Sequence, residues 1–256
     1  MAHIGFGLVG HPLGHSFSQS FFNTIFRERA IDAEYRNFDI ADISEIRSII
    51  ADNPEICGLN VTIPYKEAVI PYLDDLDDTA RTIGAVNVIK VTRESDGKLF
   101  LKGYNTDIIG FDIAFCSLLA SPLSPRNALV LGTGGASKAA VAALTRAGIK
   151  VKRVSRHPGP NQLSYNDLRS KAVMEHYGVI VNATPLGTFP NTDTCPDIPY
   201  DLLTPNHLCF DLVYNPPLTE FLKRCADHGC TVKNGLQMLH GQAIAAYHIW
   251  TGKNLL

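Results

Sequence analysis

The 256-residue chain is 45% hydrophobic and 19% charged, which excludes the disordered and fibrous classes and leaves room for one large domain or two small ones, with two expected. Lysine and arginine total 23 against 25 acidic residues, a net charge of −2 without a basic stripe, so a nucleic-acid partner is not expected. The first residues carry no basic-then-apolar leader, no run approaches the roughly 18 to 20 apolar residues of a membrane span, and six scattered cysteines form no CxxC, so a cytoplasmic protein with free thiols and no metal site is expected.

In the first hundred residues, strand and helix patterns alternate. A strand is read over 6–10, a helix over 18–29 with Phe22, Ile25 and Phe26 on one face, and a strand over 35–38. A helix over 44–53 places Ile43, Ile46 and Ile50 at i, i+3, i+7, and a strand follows over 58–62. Residues 85–92 and 99–102 read as a hairpin around an Asp96-Gly97 turn.

The second half is more regular. Strands are read over 128–131, 150–154, 179–182, 208–213 and 231–232, with helices over 137–147, 165–176, 219–228 and 236–250 and a proline-rich loop over 185–199. Such alternation implies right-handed crossovers and a parallel sheet. The expected fold class is α/β: an N-terminal α/β domain over 1–104 and a C-terminal Rossmann-type, doubly wound parallel-sheet domain over 105–235. Residues 121–125 form a loop inside the latter, and the last helix, about 236–256, crosses back to the first domain.

Gly132, Gly134 and Gly135 lie between an apolar strand and an alanine-rich helix, the setting a dinucleotide pyrophosphate needs. Ser137 stands where the third glycine of GxGxxG would be, and a turn that binds nothing is the alternative. The next strand ends in Ser155-Arg156-His157 without a carboxylate. A guanidinium grips a 2′-phosphate, so Arg156, helped by Ser155 and by Lys152 or Arg153, argues for NADP over NAD; the alternative is a solvated basic turn.

Nearer the N-terminus, Ser16 and Ser18 offer two hydroxyls ahead of a helix, suited to a small carboxylate, unless Ser18 is simply the N-cap. Asn60 and Thr62 share one face of a strand, and Lys66 follows its end, a place where a lysine is ordinarily structural. Asn87 is an amide in an apolar segment, and Asp107 an acid at the proposed domain junction.

Taken together, the SxS segment, NVTIPYK, GAVN, GYNTD, GTGGAS, the basic tip, NATPLGT, DLVYNPPLT and GLQMLHGQAIAAYHIW resemble the shikimate dehydrogenase family over nearly the whole chain. The resemblance implies that Lys66 and Asp107 form the catalytic pair and that Ser16, Ser18, Asn60, Thr62, Asn87, Asp107, Tyr214 and Gln242 hold or line the substrate. It implies that Gly132, Thr133, Gly134, Gly135, Ala136, Ser155, Arg156, Asn182, Ala183, Thr184 and Met238 border NADP(H). Gln19, Val88, Thr188, Ser155 and His157 depart from the family pattern without removing a proposed chemical group, and a further helix that relatives usually carry after Trp250 has no counterpart.

The expected activity is the NADP-dependent, reversible reduction of 3-dehydroshikimate to shikimate in aromatic amino acid biosynthesis, by a monomer or homodimer. The Lys66 ammonium would stabilise and protonate the developing oxyanion while Asp107 orients it and binds a ring hydroxyl. Which of the two titrates in turnover is left open. The alternatives are a quinate/shikimate dehydrogenase using NAD or NADP, and a non-catalytic ligand-sensing paralogue.

Overall fold

The computed structural model describes residues 3–14, 16–119 and 125–256; the loop expected over 121–125 lies outside them except for Pro125. The chain divides into two compact units, Met1–Thr106 with Ala243–Leu256, and Asp107–Gln242. Among the described residues no helix is long and apolar enough to cross a membrane.

In the first unit the elements are β1 (Ile4–Gly10), α1 (Phe17–Glu28), β2 (Ala33–Asp39), α2 (Ile46–Asp52), β3 (Ile56–Val61), α3 (Tyr65–Ala68), β4 (Asp75–Leu76), α4 (Asp78–Ile83), β5 (Val88–Arg93) and β6 (Leu99–Tyr104). Their sheet runs β2-β1-β3-β5-β6-β4, with β1 parallel to β2 and β3 and the β5/β6 hairpin antiparallel. Both faces are covered. Val88 joins a cluster with Phe6, Phe22, Phe26, Tyr35 and Trp250, while its neighbour Ile89 joins one with Ile46, Ile50, Leu59 and Leu101, as strand alternation requires. The anticipated α1 stripe of Phe22, Ile25 and Phe26 is buried. Trp250 stacks on Phe6 at 4.9 Å and donates its indole N–H to the Ile89 carbonyl at 3.0 Å.

The second unit contains α5 (Asp107–Leu119), β7 (Asn127–Leu131), α6 (Gly135–Arg146), β8 (Lys150–Ser155), β9 (Leu163–Ser164), α7 (Lys171–His176), β10 (Val179–Asn182), β11 (Leu208–Asp211), α8 (Glu220–Asp227) and β12 (Thr231–Lys233). The last helix, α9 (Leu236–Thr251), begins in this unit and continues into the first. The sheet order β9-β8-β7-β10-β11-β12, with every pair parallel, is the 3-2-1-4-5-6 order of a doubly wound dinucleotide-binding sheet. The α/β expectation therefore holds in both units.

Three local expectations are corrected. The single helix over 165–176 is instead a 3-10 turn at Asp167–Arg169 followed by α7. Asp167 accepts from the Ser164 amide and hydroxyl, each at 2.7 Å, and Ser170 is extended, which breaks the helix between them. The strand over 208–213 stops at Asp211, whose carboxylate accepts the Val213 amide at 3.0 Å and turns the chain. Helix α5 is unanticipated: DIIGFDIAFCSLL is apolar almost all round and shows no amphipathic stripe.

Candidate active site

The N-cap of α1 is Ser16, whose Oγ accepts from the Gln19 amide at 3.3 Å, so the capping alternative entertained for Ser18 passes to its neighbour. Ser18 is half-buried on the first turn. The Tyr35 phenol donates to Asn60 Oδ1 at 2.7 Å, and Asn60 Nδ2 donates to the Asn87 carbonyl at 3.2 Å. Asn87 in turn donates Nδ2 to Thr106 Oγ1 at 3.1 Å and accepts the Thr106 amide at 2.7 Å. Two anticipated residues, Asn60 and Asn87, are thus links of one hydrogen-bonded chain, completed by Tyr35 and Thr106, which sequence reasoning missed.

Thr62 is half-buried just beyond β3, its amide bonded to the Val9 carbonyl at 2.9 Å. Lys66 lies on the single turn of α3. Tyr65 anchors that turn by donating its hydroxyl to the Ile40 carbonyl at 2.7 Å, and the Lys66 carbonyl accepts the Val86 amide at 2.7 Å. The lysine backbone is therefore pinned beside the segment that carries Asn87. The first unit gathers Ser16, Ser18, Asn60, Thr62, Lys66 and Asn87; Asp107, Tyr214 and Gln242 belong to the second.

Asp107 opens α5 and is 5% exposed, at the end of the helix where a carboxylate is favoured. Gly110, one turn on, meets α9 so closely that a Cβ would stand 2.3 Å from the Met238 carbonyl and 3.1 Å from Gln242 Cβ. Only glycine allows this approach, and it sets Asp107 one turn from Met238 and Gln242. Both of those side chains are buried, and Gln242 Nε2 donates to the Leu239 carbonyl at 3.0 Å. Tyr214 is half-buried, and burial pushes its phenol above the ordinary range.

At the end of β7, Gly132 has φ +107°, which only glycine adopts without strain. Ser137, in the place of a third glycine, is fully buried and donates its hydroxyl to the Gly132 carbonyl at 2.7 Å, so it closes the turn. Gly134 caps α6 in an extended conformation without a side-chain hydrogen bond, and a Cβ added there would meet nothing within 4 Å. Gly135 and Ala136 begin the helix behind it, and Thr133 is exposed beside it. Open space, uncapped amides and the positive end of the helix dipole suit a pyrophosphate. They lie where β7 and β10 diverge, the switch point of a doubly wound sheet.

Asn182, at the end of β10, anchors the other side of that point. Its Oδ1 accepts from the Thr184 amide and hydroxyl at 3.1 and 2.6 Å, and its Nδ2 donates to Asp211 at 2.9 Å. Ala183 follows, its carbonyl 3.1 Å from a Cβ built on Gly132. Asp211 also accepts from Thr219 Oγ1 at 2.5 Å. Burial pushes its carboxyl up to about 6 against the opposing pull of the Thr219, Val213 and Asn182 bonds. Neither Asp211 nor Thr219 was singled out from the sequence.

Arg156 is exposed one residue beyond β8, within electrostatic reach of Tyr165. Ser155 Oγ bonds both the amide and the carbonyl of His157 at 3.1 Å, so it shapes the turn, and Lys152 Nζ reaches the Asn161 carbonyl at 3.3 Å.

Residues 8–89 match the family model of the shikimate dehydrogenase substrate binding domain. A protein of Methanosphaera stadtmanae named shikimate dehydrogenase (NADP+) is 34% identical over 96% of this chain and 91% of its own length. The chain belongs to the shikimate dehydrogenase family. Solved members superpose over nearly all of it. Shikimate dehydrogenase 1 of Peptoclostridium difficile gives a TM-score of 0.83 at 36% identity, covering 98% of this chain and 92% of its own. Shikimate 5-dehydrogenase of Thermus thermophilus, solved with NADP(H) and shikimate, gives 0.79 at 30%, covering 98% and 94%.

Proposed function

We propose that the chain catalyses the reversible, NADP-dependent reduction of 3-dehydroshikimate to shikimate, a step toward the aromatic amino acids. The observation that carries this reading is the set of polar side chains in the first unit, the hydroxyls and amides of Ser16, Ser18, Asn60, Thr62 and Asn87, together with Lys66, whose backbone is bonded to the segment that carries Asn87. Neutral donors and acceptors with a single cation suit a polyhydroxy ring bearing one carboxylate better than a phosphorylated substrate. In this reading the first unit holds the substrate, consistent with the family model matched there, and Tyr214 and Gln242 complete its contacts. NADP is held by the turn over 132–136, by Asn182, Ala183, Thr184 and Met238, and by Arg156 on the 2′-phosphate with Ser155 shaping its turn. A cytoplasmic site of action fits the six free cysteines, Cys57, Cys116, Cys195, Cys209, Cys225 and Cys230.

When bound, the nicotinamide supplies the hydride for reduction or takes it up in oxidation. Lys66 stabilises the oxygen on which charge develops and gives it a proton; in oxidation the lysine receives that proton. Asp107 accepts hydrogen bonds from the ring and from the ammonium, holding both in register. Kinetics of Lys66→Ala test the assignment. A loss of turnover with the unfolding curve unchanged supports it, and near-normal turnover removes Lys66 as the proton donor.

A further inference from the structure

Tyr35 has no part in the reaction outlined above. It lies in β2, fully buried, with its ring stacked on Phe22 at 4.7 Å between centroids and 12° between planes. Its hydroxyl donates to a side chain assigned to the substrate, Asn60.

The direction of these hydrogen bonds is fixed from one end. The Asn87 carbonyl oxygen only accepts, so the Asn60 atom 3.2 Å from it is the Nδ2 donor. The other terminal atom of Asn60 is then the carbonyl oxygen, which takes the one proton Tyr35 has to give, at 2.7 Å. Burial pushes the phenol far above its ordinary range, so this proton stays in place across working pH. Asn60 is therefore held at both ends of its amide, its flip set by the Asn87 carbonyl and its Oδ1 tied to the Tyr35 hydroxyl. The Phe22 stack and the bonds between Asn23 and the Tyr35 backbone, at 2.8 and 2.9 Å, hold that hydroxyl still.

We infer that Tyr35 is a positioning residue for the substrate, holding the Asn60 amide through its buried hydroxyl so that Asn60 meets the ring in one arrangement. This rests on the shikimate reading above and deepens it. Without the hydroxyl, Asn60 keeps only its bond to the Asn87 carbonyl and gains torsional freedom, and each productive encounter must order it again.

The test is steady-state kinetics of Tyr35→Phe, which keeps the ring and its stack, beside the wild type. The KM for shikimate is expected to rise about tenfold, the loss of one well-placed hydrogen bond, with the KM for NADP unchanged. A purely structural role would lower the unfolding temperature and the active fraction, hence kcat, and leave both KM values where they were; that result overturns the inference. A crystal structure of the wild type with shikimate decides the question if Tyr35→Phe does not fold. Asn60 meeting the ring while its Oδ1 accepts from Tyr35 is expected, and an Asn60 turned away from either contradicts the inference. A wild type that does not oxidise shikimate overturns the reaction reading itself, whereas an active wild type with an unshifted Tyr35→Phe overturns only the role of Tyr35.

Discussion

Each unit carries a buried polar network at the ends of its strands, and the two are built on different chemistry. In the first, Tyr35, Asn60, Asn87 and Thr106 are all neutral, and Tyr35, Asn60 and Asn87 each donate to an acceptor. In the second, Asn182 and Thr219 donate to a carboxylate, Asp211, whose carboxyl burial pushes up to about 6, and Thr184 donates to Asn182. A neutral network orients groups without responding to pH, as suits side chains proposed to meet the hydroxyls of a ring. One centred on a buried carboxylate binds its donors more strongly but couples the fold around the switch point to proton concentration.

The largest effect expected concerns the two groups proposed for catalysis. Lys66→Ala and Asp107→Ala should each lower turnover by about 10² to 10⁴, the usual contribution of positioned acid–base catalysis, with urea unfolding near that of the wild type. Turnover within a few-fold of wild type would sever the link between the first unit's polar array and the chemistry.

Next comes the pH dependence of the second network. Below about pH 4 Asp211 is protonated in both folded and unfolded chains and its burial carries no ionic penalty. As pH rises through about 4 to 6 the unfolded chain releases the proton first, so stability falls, and above about 6 the loss is complete, at about 3 kcal/mol. Carboxylates held low act with the opposite sign. The Lys102 hydrogen bond lowers Asp75, for example, so its contribution is present above the unfolded value and lost as pH falls. Such groups remain unchanged in Asp211→Asn, so the variant should lose less stability than the wild type between pH 4.5 and 7 in chemical denaturation. Parallel curves would mean that the two networks do not differ in this way.

The smallest effect is at Arg156. Arg156→Ala should weaken NADP by roughly tenfold and NAD by much less, as for the loss of one charge-assisted phosphate contact. Equal losses in titrations with both nucleotides would remove the guanidinium from the 2′-phosphate.

Periodic features were legible from the residues: the α1 stripe, the hairpin at Asp96-Gly97, and the alternation that yields the 3-2-1-4-5-6 sheet. Segments whose pattern is flat were not. Helix α5 is too uniformly apolar to show a period, and the helix expected over 165–176 breaks because Ser164 and Asp167 satisfy each other locally. Motif residues were legible as a set, whereas their supports were not. Tyr35 reads as one more core aromatic, and nothing in a strand of seven residues reveals that its hydroxyl faces Asn60, 25 positions on. Ser16 and Ser18 are chemically alike, and only the folded backbone decides which caps α1. Asp211 and Thr219 are eight residues apart across a proline-containing turn, a pairing that no helical or strand period encodes.

The most direct measurement is the rate of NADPH or NADH formation by the purified protein with shikimate and with quinate, each offered NADP and NAD. Rapid turnover with shikimate and NADP, well above the other three combinations, is the expected result. No nicotinamide reduction with shikimate, or a clear preference for quinate with NAD, would contradict the account.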